Sequence, residues 1–96
     1  MVKKALLVQR IAKSTDLSLR EASVCFDVIF DTLADAIING ERVELRSFGT
    51  FSTRQVPQKK YPSSFSAQPT IIPSHSRIVF RPSQKLRQSV WNKVNN

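Results

Sequence analysis

Residues 40–51 read Gly40-Glu41-Arg42-Val43-Glu44-Leu45-Arg46-Ser47-Phe48-Gly49-Thr50-Phe51, and the spacing of their apolar positions decides what this chain folds into. Val43 and Leu45 alternate with Arg42, Glu44 and Arg46, which is the period of a strand covered on one face. Phe48 and Phe51 break that alternation because they stand three apart. Gly49 between them is expected to supply a bulge or tight turn that returns both rings to one face. Gly40, at the front of the stretch, is expected to take the left-handed cap position that ends a helix after Asn39.

Working back from Gly40, Ser18-Leu19-Arg20-Glu21 has the spacing of a capping box, so a long helix should start there and run to residue 39. Along it Ala22, Phe26, Ile29, Leu33 and Ile37 form one apolar stripe, while Val24, Cys25, Val28, Phe30 and Ile38 spread the apolar surface well beyond it. A helix that is apolar on more than one side is covered by its own fold and by a second subunit together. Phe26, Ile29, Phe30 and Leu33, with Phe48 and Phe51, are therefore the expected dimer core. A shorter amphipathic helix over residues 3–13 precedes it, with Leu6, Leu7, Ile11 and Ala12 near helical spacing. Cys25, alone of its kind and set between Val24 and Phe26, reads as a small buried hydrophobe and suggests a reducing compartment.

Working forward from Phe51, residues 52–76 contain Pro57, Pro62, Pro69 and Pro73 and no glycine. Prolines omit backbone donors and suit exposed or edge strands, so a long β-ribbon arm over about residues 53–76, or a disordered loop, is expected. A short strand over residues 77–81 follows, then Pro82-Ser83 opens a last helix from residue 84 to about 94. Leu86, Val90, Trp91 and Val94 lie on its apolar side, which makes core packing the expected role of Trp91. His75, the one histidine, sits between two serines and reads as an exposed turn residue.

The charge is sorted along the chain. All seven acidic residues lie before position 45, and residues 45–96 hold nine Lys or Arg with no Asp or Glu. The two parts therefore carry −1 and +9, which accounts for the net +8. A one-signed surface of this kind attracts a polyanion; nucleic acid is the first expectation and an anionic membrane surface the second. Nothing approaches the ~18 apolar residues of a membrane span, so no membrane partner is expected and the location is read as cytoplasmic, in the nucleoid. Paired carboxylates, a Cys/His cluster, a phosphate-cradling glycine loop and a nucleophile elbow are all missing from the sequence. Neither catalysis, nor a metal, nor a cofactor is expected.

The order of parts and the run Gly-x-x-Val-x-Leu-x-x-Phe-Gly-Thr-Phe over residues 40–51 resemble the bacterial HU/IHF family of DNA-bending proteins. Ile72-Pro73 and Phe80-Arg81-Pro82-Ser83-x-x-Leu86 fall at the family's spacing. The resemblance covers nearly the whole chain and implies an α+β intertwined dimer. Each subunit would be one domain over residues 1–96. Residues 1–40 would be the helical dimerisation part, residues 41–82 a three-stranded antiparallel sheet with its arm, and residues 83–94 the C-terminal helix. It further implies that two β-arms reach around the minor groove of double-stranded DNA, that a wedge near each arm tip kinks the duplex, and that the basic body wraps the flanks.

Cations on narrow extended elements suit that role, and the expected DNA contacts are Arg54, Lys59, Lys60 and Tyr61 on the arm, Arg77 on its return, and Arg46 beside the strand base. Arg81, Lys85 and Arg87 surround the start of the last helix, where Ser83 and free amide donors offer phosphate contacts. The arm tip departs from the family pattern. Typical members carry Gly-Arg-Asn-Pro there, and counting without gaps puts the wedge proline on Ser64, within Lys59-Lys60-Tyr61-Pro62-Ser63-Ser64-Phe65. Pro62 or Phe65 is the candidate wedge, each being apolar in a polar stretch. Three alternatives stay open: a homodimer or a heterodimer with a paralogue, site-preferring or non-specific binding, and a non-bending module for RNA or protein on the same scaffold.

Overall fold

Ser18 and Glu21 close the capping box that their spacing announced. The Ser18 N–H donates to Glu21 Oε1 at 3.0 Å and the Glu21 N–H donates to Ser18 Oγ at 3.1 Å. The Ser18 amide first, and its side chain second, hold the Glu21 carboxyl below its usual range. A carboxylate lowered in this way supports the helix start above its unfolded pKa and loses that support as pH falls through the folded value. The computed structural model describes residues 1–61 and 69–95, and the candidate wedges Pro62 and Phe65 lie outside the described residues.

The elements are α1 (Lys4–Ser14), α2 (Leu19–Ile38), β1 (Val43–Leu45), β2 (Gly49–Val56), β3 (Lys59–Tyr61), β4 (Thr70–Ile72), β5 (His75–Pro82) and α3 (Gln84–Asn95). Helix α2 ends as a Schellman motif. Gly40, at φ 76°, donates to the Ile37 carbonyl at 3.0 Å, and Glu41 donates to the Ala36 carbonyl at 2.9 Å. Strands β1, β2 and β5 form an antiparallel sheet in the order β1-β2-β5, and β3 pairs with β4 in a separate two-stranded ribbon. Val56 pairs with His75, and the next described pair is Lys59 with Ile72, so residues 57–58 and 73–74 are an equal gap on both strands. Each gap contains a proline, Pro57 or Pro73, that cannot donate to the ladder. Among the described residues the ribbon thus keeps one register across this gap.

The chain divides into two compact units, Met1–Asp35 and Ala36–Asn96. In the first, Val8 is 7% and Ala22 0% exposed, and these are the buried hydrophobic residues among those described. Lys4 Nζ donates to Asp27 Oδ1 at 2.7 Å and lies 5.6 Å from the centre of the Phe26 ring, which stacks on Phe30 at 4.4 Å. The expected first stripe of α2 is largely covered: Ala22 is buried and Phe26 and Leu33 are half-buried, although Ile29 is exposed. Its second face is open, with Val24, Cys25, Val28 and Phe30 all exposed. Cys25 is therefore not buried within its own chain, contrary to the reading from its apolar neighbours, because it belongs to the face that one chain leaves uncovered.

In the second unit Phe80 gathers the two phenylalanines of the opening stretch. Its ring lies 4.7 Å from Phe51, its partner in register, and 5.4 Å from Phe48. The turn that achieves this differs from expectation. Phe48 N–H donates to the Leu45 carbonyl at 3.0 Å, and the residue with left-handed φ is Ser47 at 65°, not Gly49. Gly49 is needed for another reason: a Cβ there would stand 2.5 Å from the Arg81 carbonyl oxygen and 2.5 Å from the Phe80 ring. The close approach of two backbones requires the missing side chain.

Candidate nucleic-acid interface

Register sorts the sheet into an apolar and a basic face. Val43, Phe51 and Phe80 form one cross-strand row, and Glu44, Thr50 and Arg81 form the adjacent row. Because successive side chains on a strand point to opposite sides, Thr50, Ser52 and Arg54 of β2 share a face with Arg81, Val79 and Arg77 of β5. Arg54 is directly opposite Arg77. A shallow depression on this face is lined by Arg42, Thr50, Ser52, Arg54, Val79 and Arg81.

A larger cleft of about 560 Å³ lies at the end of the sheet, where Arg42, Arg46, Arg81 and Ser83 meet with Glu44 as its one carboxylate. Arg46 stands in the β1–β2 turn, not on a strand as the alternation suggested, because β1 stops at Leu45. The turn is tied to the start of α3 by the Ser83 N–H, which donates to the Phe48 carbonyl at 2.8 Å. Ser83 Oγ accepts from the Leu86 N–H at 3.0 Å, so Ser83 is the cap of α3 and its own amide is already used. Lys85 and Arg87 follow in the first turn of that helix.

Lys59, Lys60 and Tyr61 make up β3, opposite Ile72, Ile71 and Thr70 in turn, and all six are exposed. The ribbon therefore has one strand of cations and an aromatic ring beside one of β-branched residues. Lys4 with Asp27 is the ion pair formed among the described residues. Arg42, Arg46, Arg54, Arg77 and Arg81 accordingly have no carboxylate partner among the described residues. Sequence reasoning missed Arg42. Its place in the polar phase of the first strand was visible, but it lies before the boundary at position 45 beyond which acids disappear. His75 begins β5, exposed, with Nδ1 2.9 Å from the Pro73 carbonyl oxygen.

Among the described residues no group of three His, Cys, Asp or Glu could hold a metal, and no helix is long and apolar enough to cross a membrane. Residues 2–91 match the model of a family described as bacterial DNA-binding protein. The chain is 30% identical over 90 residues to DNA-binding protein HU 1 of Bacillus subtilis, a span of 94% of this chain and 98% of that one. It is 33% identical over 87 residues to the integration host factor subunit alpha of Xanthomonas campestris pv. campestris, covering 91% and 88% respectively. Its fold matches a HU chain of Anabaena crystallised with DNA at a TM-score of 0.80, with 21% identity over 93% of this chain and 97% of that one. With the match running through both helices, the sheet and the start of the last helix, the chain belongs to the bacterial DNA-binding protein family, that of HU and the integration host factor subunits.

Proposed function

We propose that this protein is an architectural protein of the nucleoid that binds double-stranded DNA through the minor groove and bends it, acting without cofactor or catalysis. The observation that carries this reading is the basic sheet face, where Arg54 and Arg77 oppose each other beside Arg42 and Arg81 with no carboxylate partner among the described residues. Like charges placed directly across a ladder repel, and a polyanion relieves that repulsion. The β3–β4 ribbon extends the same pair of strands and brings Lys59, Lys60 and Tyr61 forward as a narrow cationic element that suits a minor groove. Beyond it, Pro62 and Phe65 are proposed as wedges on sequence grounds.

Energy transfer between dyes on the two ends of a short duplex tests the bend. A saturating rise on titration is expected, together with a smaller rise for Pro62→Ala or Phe65→Ala at nearly unchanged affinity. Binding with no rise would leave a protein that coats or bridges DNA, and equal affinity for RNA or heparin would shift the reading to charge alone.

The working unit is proposed to be a dimer, either of this chain or with a paralogue. Val24 at 57%, Val28 at 59% and Phe30 at 48% exposure leave an apolar helix face open, more than a marginal chain of this size can leave to water. The melting temperature should therefore fall on dilution, by several degrees per tenfold step. A melt independent of concentration, with a monomeric mass, would remove the dimer.

A further inference from the structure

His75 opens β5 with its ring nitrogen Nδ1 2.9 Å from the Pro73 carbonyl oxygen. A carbonyl can only accept, so Nδ1 carries a proton, and Nε2 on the far side of the ring is the nitrogen left to gain or lose one. Pro73 stands in the gap of the ribbon, which the two paired registers leave out. The bond to its carbonyl needs only the Nδ1 proton, which both charge states keep, so it anchors the ring in either.

Register sets this ring among cations. Successive residues of a strand alternate sides, so His75 shares its side of β5 with Arg77 and Arg81, the side that carries Arg54 on β2. Arg77 is two residues on, about 7 Å along the strand. Arg54 is the diagonal neighbour across the ladder, next but one to Val56, at about 7–8 Å. The adjoining ribbon brings Lys59 and Lys60 on β3 and no charged residue on β4. The carboxylate on this side of the sheet, Glu44, belongs to the row of Arg81, six residues and about 20 Å along β5 from His75. A further positive charge on the ring therefore has no acid beside it until a polyanion covers the face.

Phosphate supplies that partner. A proton held more tightly in the complex than in the free protein makes DNA and proton promote each other's binding, and the affinity then rises as pH falls. We infer that His75 is a proton-linked contact at the base of the arm: binding of the DNA backbone is accompanied by proton uptake at Nε2, so the grip tightens as pH falls through the range in which histidines titrate. This inference rests on the DNA-binding reading and adds a regulation to it. His75 is the single histidine of the chain, so one substitution removes the coupling.

Anisotropy titrations of a labelled duplex between about pH 5.5 and about pH 8, each at several salt concentrations, compare the unmodified chain with His75→Gln and His75→Lys. The unmodified chain is expected to bind roughly tenfold more tightly at the acid end, with a logarithmic salt slope steeper by about 1.8 for the two imidazoles of a dimer. His75→Gln should hold the weaker affinity and shallower slope across the range, and His75→Lys the stronger and steeper. Binding enthalpies measured in two buffers of different ionisation heat should show proton uptake for the unmodified chain and less for either variant. A pH profile that His75→Gln shares with the unmodified chain overturns the inference while DNA binding stands. So does an affinity that varies with pH at constant salt slope, because the proton would then not meet a phosphate. If anisotropy rises at no pH, the DNA-binding reading fails and the coupling falls with it.

Discussion

Replacing Gly49 by alanine is expected to cost about 3 kcal/mol of folding free energy, at the upper end of what overpacking usually costs. The new methyl would meet the Arg81 carbonyl oxygen at 2.5 Å and the Phe80 ring at 2.5 and 2.7 Å, and the first of these is backbone. A flexible side-chain end could swing aside, but Arg81 is held in register opposite Thr50 and its carbonyl cannot, while the Phe80 ring would have to give up its packing on Phe48 and Phe51. Relief would have to come from parting β2 and β5, which breaks the ladder that carries the basic face. The comparison is Gly40→Ala, where the added carbon has its nearest neighbour at 3.9 Å but the backbone is left-handed at φ 76°. That change costs about 1 kcal/mol, from backbone strain alone. Urea midpoints at unchanged m-value measure both. Gly49→Ala no worse than Gly40→Ala would mean that the strands part freely there.

The pair of glycines also separates what is legible in the sequence from what the fold alone sets. Gly40, Ser18 and Glu21 act locally, through φ and through hydrogen bonds three residues apart, so their spacing alone located both ends of α2. The gathering of Phe48 and Phe51 was legible as an outcome but not as a geometry. Ser47 takes the left-handed conformation without being a glycine or asparagine, while Gly49 is required by Arg81 and Phe80, more than thirty positions away along the chain. No local pattern carries a constraint of that kind. Arg46 was misplaced for the same reason, since nothing in the alternation says that β1 stops one residue earlier.

The candidate interface divides in the same way. Arg54, Arg77 and Arg81 could be named from charge alone, but their common face follows from a register that only the folded ladder sets. On α3 the expected apolar side stays open in one chain, with Val90 at 60%, Trp91 at 61% and Val94 at 78% exposure, so hydropathy names the residues of that side but not what covers them.

Changing Arg54 and Arg77 together to glutamine should move stability and DNA affinity in opposite directions. Removing two like charges placed directly opposite across the ladder is expected to stabilise the free protein by about 0.5 kcal/mol. In a dimer the same change removes four cations from the interface. If about 8 phosphates are neutralised per dimer, the logarithmic salt slope is about −7, and losing four should bring it near −4. Affinity should then fall by roughly a hundredfold or more at low salt, and by less as salt rises. Titrations at several salt concentrations, beside a thermal melt of the free protein, read both effects from one variant. A stability that falls along with affinity would make Arg54 and Arg77 structural, because the repulsion would then not be what the face gives up on binding. An unchanged slope would detach them from phosphate even if affinity dropped. The two effects are expected to oppose each other because the same two charges that repel across the free ladder would be the ones that phosphate neutralises on binding.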